Sequence, residues 1–213
     1  RRLMNIEQSI IEGCERLEVR LLAGTGARLA VFLSLLERWN RAYNLTAVRD
    51  PKAMVVRHVL DSLSILPWLE GIRVLDVGSG AGLPGIPLAI VRPDCEFVLL
   101  DSNGKRTRFM NQVVAELKLA NVSVVRSRIE DYRPAILMNS VVSRAFATLA
   151  EMVAEAGRLC APEGRLLAMK GVFPDDELAR LPSGYNVVGV YPLQVPDLDA
   201  ERHLVHLTPA RRD

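Results

Sequence analysis

The chain has 213 residues, 49% hydrophobic and 24% charged, enough for one globular core with an appendage and no covalent staples. A net charge of +2 is too small to demand a polyanionic partner, so only local clustering of basic groups argues for one. Three scattered cysteines without a C-x-x-C pair argue against a disulfide framework or a metal site and for a reducing, cytoplasmic setting. The longest apolar run, Ala30 to Leu36, is broken by Ser34 and is far too short to span a membrane. The start, Arg1-Arg2-Leu3, has neither an initiator Met nor a signal-type apolar region, so a trimmed N-terminus is expected.

Residues 1–70 read as a helical extension. Leu3, Ile6, Ile10 and Ile11 form one apolar stripe, and Leu29, Phe32, Leu33, Leu36 and Trp39 or Asn40 another, separated by Gly24-Thr25-Gly26. The stretch R-W-N-R-A-Y-N-L-T-A-V-R-D-P has no clear period and reads as a polar loop holding Trp39 and Tyr43. Asp50 then caps a helix with Pro51 at its first position. Met54, Val55, Val59, Leu63 and Leu66 are its apolar side, Arg57, His58 and Asp61 fall on other faces, and Pro67 ends it.

Residues 71–213 alternate strand and helix. Val74 to Val77 is a buried strand, followed by glycines at 78, 80, 82 and 85 and by Pro84 and Pro87, which suit a helix start. Strands follow over Glu96 to Asp101, Val122 to Arg126, Ile136 to Ser143 and Gly164 to Lys170. Helices are expected over Asn103 to Leu119, Leu149 to Leu159 and Pro174 to Leu181. Strands at Tyr185 to Leu193 and His203 to Leu207 are joined too closely for a crossover helix, so they pair antiparallel. Parallel units closed by such a hairpin are the methyltransferase variant of the doubly wound sheet.

The glycine loop binds a nucleotide-like ligand. G-x-G-x-x-G is not satisfied, because Leu83 stands where the third glycine belongs. Asp76 lies two residues ahead of Gly78, and a carboxylate there repels a pyrophosphate but suits a cationic ligand without phosphate. S-adenosylmethionine meets that description, and D-x-G-x-G is the loop of Rossmann-like methyltransferases. Asp101, 19 residues after Gly82, suits the ribose hydroxyls; a helix N-cap is its plainer role. In such methyltransferases an acid after the third strand meets the adenine amine and a backbone N–H meets the ring; the resemblance implies these roles for Glu130 and Ile129, against a solvated charge run.

Arg144 in S-R-A-F ends the fourth strand, where amino-methylating enzymes often carry D-P-P-Y. An arginine only donates, so it disfavours an exocyclic amine and suits guanine, whose O6 neighbours N7. A structural pairing with an acid is the alternative. Lys170, ending the fifth strand, faces the same crevice. Arg38, Arg41, Arg57 and His58, with Tyr43 among them, suit folded RNA, or form only a wet helix face. No nucleophile signature or metal-ligand spacing is present, which fits attack by a guanine N7 lone pair needing no prior deprotonation. Arg144 and Lys170 are therefore positioning candidates, with no catalytic base assigned.

The strings R-W-N-R-A-Y-N-L-T-A-V-R-D-P, R-H-V-L-D-S, L-D-V-G-S-G-A-G-L-P-G-I-P-L-A-I-V-R-P and L-L-D-S-N-G-K-R-T-R-F, with S-R-A-F-A and E-R-H-L-V, resemble the RsmG family, also called glucose-inhibited division protein B. The resemblance implies methyl transfer from S-adenosylmethionine to N7 of one guanine in 16S rRNA near the decoding site. By matching motifs it implies cofactor contacts at Gly78, Leu83, Ile129, Glu130 and Arg144, alongside Asp76, Gly80 and Asp101 read from the loop chemistry. A monomer acting on RNA or on the assembled small subunit is expected. The competing readings are a dinucleotide-dependent oxidoreductase and a non-catalytic cofactor-binding regulator.

Overall fold

The computed structural model describes residues 2–211, so the start at Arg1 lies outside it. Helix α1 (Arg2–Arg16) buries Ile6, Ile10 and Cys14 along one stripe. Helix α2 (Thr25–Tyr43) buries Leu29, Phe32, Leu33 and Leu36 and ends at Asn44, in the left-handed conformation typical of a helix stop. Trp39 and Tyr43 therefore lie on the last turns of α2, not in a loop. Their rings stack at 5.3 Å, and Trp39 also packs against Phe109 at 5.7 Å. The apolar support for these turns comes from a residue distant in sequence, which local periodicity does not register.

Asp50 caps the next helix, its Oδ2 accepting the Ala53 N–H at 2.9 Å. Pro51–Met54, Val55–Leu60 and Asp61–Leu63 run on as α3, the middle part wound as π-helix. It stops before Pro67, and a tight turn at Leu66–Trp68 leads into the sheet. The π-turn carries His58, which is 4% exposed. His58 Nε2 is 2.8 Å from Thr46 Oγ1, Asn40 Oδ1 accepts the Thr46 N–H at 2.9 Å, and His58 Nδ1 has no partner. His58 thus holds the Asn44–Asp50 loop from below and is not the surface RNA contact that charge clustering suggested.

Seven strands follow: β1 (Arg73–Val77), β2 (Glu96–Asp101), β3 (Val122–Arg126), β4 (Met138–Ser143), β5 (Cys160–Lys170), β6 (Tyr185–Pro192) and β7 (His203–Pro209). Their spatial order is β3-β2-β1-β4-β5-β7-β6, parallel from β3 to β5, with β7 antiparallel to both neighbours. β5 starts four residues earlier than Gly164, because a register shift between Met138 and Ser140 lets Cys160 join the ladder. Helices α4 (Gly85–Val91), α5 (Gly104–Leu117), α6 (Leu149–Ala156) and α7 (Asp175–Ala179) cover the sheet.

One apolar core joins Ile10, Phe32, Leu36 and Leu60 of the helical extension to Phe97, Leu99, Phe109 and Leu204. The other face packs α6 on Leu75, Val141, Leu166 and Leu207. The extension is thereby fixed relative to β1 and β4, which diverge from the switch point where such sheets bind ligands beyond their carboxyl ends.

Burial lowers the His58 pKa to about 4, helped by the nearby charge of Arg144. A base whose native pKa is depressed contributes stability above its unfolded pKa of about 6.5, lost as pH falls toward 4. The wild type should therefore lose, between pH 7 and pH 4, on the order of 3 kcal/mol more stability than His58→Gln, measured by urea denaturation. Parallel losses in the two proteins would show that His58 does not carry this dependence.

Candidate active site

The β1–α4 loop is built by backbone bonds to two carboxylates. Asp76 is fully buried, and its Oδ2 accepts the Gly85 N–H at 2.8 Å. A Cβ on Gly85 would collide with the Leu99 side chain and come within 2.8 Å of Asp76 Oδ2, so glycine is required there. Asp101 Oδ2 accepts the Gly80 N–H at 2.9 Å, and its Oδ1 accepts the Asn103 N–H at 2.8 Å. Gly78 and Ser79 direct their N–H groups at the Leu100 carbonyl, at 2.8 and 3.2 Å. Gly78 has φ 69°, and a side chain on it would press on Ala145.

These bonds occupy the amides that a pyrophosphate would need, which removes the basis for dinucleotide binding. The helix cap that Asp101 was one candidate for is instead Asn103, whose Oδ1 accepts from Lys105 and Arg106 at 3.0 and 3.1 Å.

Asp76 Oδ1 has no hydrogen-bond partner. Burial pushes its pKa up to about 8, while the Gly85 N–H and the charge of Arg144 pull the other way. An orphaned, fully buried acid behind the loop fits a ligand that brings its own cation or donors.

Beyond the carboxyl ends of β1, β2 and β3 lies a cleft of about 440 Å³. It brings together Gly78, Asp101, Ile129 and Glu130 from the sequence reading, and adds Arg106 and Phe146, which that reading did not assign. Ile129 opens a single turn, Ile129–Asp131, so its N–H is not used within the turn. Arg158 donates to the carbonyls of Ile129 and Tyr132, pinning that turn. Glu130 is exposed, 3.7 Å from Arg128. Asp76, Gly80 and Leu83 lie in or beneath the loop, off the lining of this cleft.

At β4, Ser143 Oγ donates to the Val77 carbonyl at 2.9 Å and accepts the Ala145 N–H at 3.0 Å, setting the direction of Arg144 between them. Arg144 Nη1 is 3.4 Å from Asp61 Oδ2. Arg202 grips the same carboxylate twice, at 2.6 and 3.0 Å. Asp61 is 2% exposed, so two guanidinium groups share one buried carboxylate and one positive charge is left over. Burial lowers the Arg144 pKa, and its side chain is still 30% exposed. Asp61 and Arg202 are 141 residues apart, and no spacing rule links them.

Lys170 does not face an open crevice. Its Nζ is 2.8 Å from Glu177 Oε1 and donates to the Phe146 and Ala147 carbonyls at 3.1 and 3.2 Å, tying the β4–α6 loop down. Arg38 and Arg41 are exposed but paired, with Glu116 at 3.5 Å and Glu37 at 3.3 Å. Arg57 and Tyr43 are exposed on the same extension.

Comparison with known proteins agrees with this geometry. A model of the GidB family, described as rRNA small subunit methyltransferase G, matches residues 26–205. Ribosomal RNA small subunit methyltransferase G of Nitrosococcus oceani is 55% identical over 208 residues, covering 97% of each chain. That of Shigella flexneri is 54% identical over 178 residues, covering 84% of this chain and 86% of its own. Magnesium protoporphyrin IX methyltransferase from Synechocystis, solved with bound S-adenosylmethionine, superposes with TM-score 0.62 at 13% identity, covering 84% of this chain and 97% of that one. Glycopeptide N-methyltransferase MtfA, complexed with S-adenosylmethionine, gives TM-score 0.62 at 12% identity, covering 72% and 88%. Identities this low speak for a shared fold, whereas the matches above half identity speak for kinship. The chain belongs to the GidB family, the rRNA small subunit methyltransferases G.

Proposed function

We propose that the chain, as a monomer, transfers a methyl group from S-adenosylmethionine to N7 of one guanine in 16S rRNA near the decoding site, on RNA or the assembled small subunit. The observation that carries this reading is the orphaned Asp76 carboxylate behind a loop whose amides are already bonded. The cofactor supplies a methyl group carried on a sulfonium.

Asp76, buried beneath the loop, would act on the positive end of the cofactor through its charge, and the backbone of Gly78 and Gly80, with Leu83 alongside, would let the cofactor approach the loop. Asp101 accepts the ribose hydroxyls through lone pairs its two backbone bonds leave over. Ile129 offers its N–H and side chain to adenine, and Glu130 accepts from the exocyclic amine.

Arg144, with one excess positive charge in its cluster, holds a cofactor carboxylate or directs guanine O6 so that N7 lines up. Guanine N7 has a free lone pair, so these residues work by alignment and electrostatics and no general base is assigned. His58, neutral and buried, takes no part in that step. Lys170 acts indirectly, by fixing the loop that carries Phe146. Arg38, Arg41, Arg57 and Tyr43 meet RNA from the extension; exposed ion pairs such as those of Arg38 and Arg41 hold with only about 0–1 kcal/mol and yield readily to phosphate.

Incubation with unmethylated small subunits and tritiated cofactor, followed by mapping of the label, is expected to find one guanine methylated at N7. No label, or label on an exocyclic amine, would overturn the proposal. Asp101→Ala should weaken cofactor binding by roughly 1–3 kcal/mol in calorimetric titration, the cost of losing hydrogen bonds to an ionised acceptor. Unchanged affinity would remove Asp101 from the ribose.

A further inference from the structure

A second cleft, of about 660 Å³, opens where α5 leaves β2 and passes the end of β3. Asn103, Lys105, Thr107, Arg108, Asn111 and Arg126 line it, and no carboxylate does. Among the described residues neither Lys105, Arg108 nor Arg126 has an acidic partner within ion-pair distance, whereas Arg38, Arg41, Arg92 and Arg128 each do. Arg126 lies directly over Gly104, where a Cβ would come within 2.9 Å of its guanidinium carbon; the bare backbone leaves the guanidinium its place.

The recognition element is the side chains, not the helix end, because Asn103 already accepts the N–H groups of Lys105 and Arg106. Three unneutralised cations with the side-chain amides of Asn103 and Asn111 between them match consecutive phosphates of a nucleic-acid backbone. The cleft also lies on the right side of the sheet. Arg126 is the last residue of β3, and Ser127 to Glu130, which follow it directly, line the cofactor cleft.

We infer that this cleft is a docking site for the phosphate backbone of the RNA substrate, continuing the track past the mouth of the active site. This rests on the rRNA reading above. A contrasting cleft at the opposite, amino edge of the sheet contains Arg28 and Lys118 but also Asp94 and Glu96, so its charges cancel.

The test is binding of 16S rRNA across a salt series by the Lys105→Gln/Arg108→Gln/Arg126→Gln protein, the wild type and a control triple of exposed cations outside this cleft, Arg20→Gln/Arg28→Gln/Lys118→Gln. The cleft variant should lower the slope of log K against log salt by roughly two to three, since each phosphate contact contributes about 0.7–0.9. Its affinity for S-adenosylmethionine and its thermal unfolding should match the wild type, and the control triple should keep the wild-type slope. An unchanged slope in the cleft variant, or an equal drop in both triples, would overturn the inference. Methylation by the wild type in the same preparation reports separately on the rRNA reading, so the two failures are distinguishable.

Discussion

Two carboxylates that accept backbone N–H groups hold the site together. Asp76 ends inside the first turn of α4 through Gly85, and Asp101 reaches across from β2 to Gly80. Between these anchors the chain turns through left-handed glycines at 78, 80 and 82, conformations costly for any other residue. The turn is thereby fixed before ligand arrives, and the β2 edge is locked to the β1 edge. A loop whose amides are already bonded to these carboxylates and to the Leu100 and Ser79 carbonyls does not cradle phosphate. It presents instead one acid lining the cleft and one orphaned acid behind it.

The same logic of sharing runs on the other side of the switch point. Asp61, Arg144 and Arg202 come from the helical extension, the end of β4 and the approach to β7, and they meet in one buried cluster. Removing Arg202 would take away the bidentate partner of the buried Asp61, whereas removing Arg144 would leave that pair matched and take away the excess charge. The extension therefore bears on the site itself. It supplies the counter-charge that places Arg144, and through His58 and Thr46 it holds the Asn44–Asp50 loop. A neutral His58 adds no further positive charge beside the two arginines.

Most of the sheet was legible because buried parallel strands are written as apolar runs: β2 and β3 have the bounds their sequence suggests, and the closing hairpin follows from a link too short for a crossover. The loop was legible because glycine and aspartate there are required locally. Asp101, Ile129 and Glu130 followed from the order of the strands that deliver them. What was hidden depends on partners far along the chain. Trp39 and Tyr43 looked like loop residues because Phe109 supports their turn. His58 looked like part of a basic surface because nothing local signals the π-turn that buries it. Lys170 looked free because Glu177 and two carbonyls claim it only after β5 and α7 are in place. Asp61 and Arg202 carried no mutual signal at all.

The central claim is that Asp76 is kept buried and half-unpaired for a cationic ligand. Site-resolved carboxyl titration by NMR, with and without S-adenosylmethionine, tests it most directly. In the free protein Asp76 should titrate near 8, and with cofactor bound its pKa should fall well below neutrality, with about one proton released on binding at pH 7. The same pKa in both states would contradict the claim.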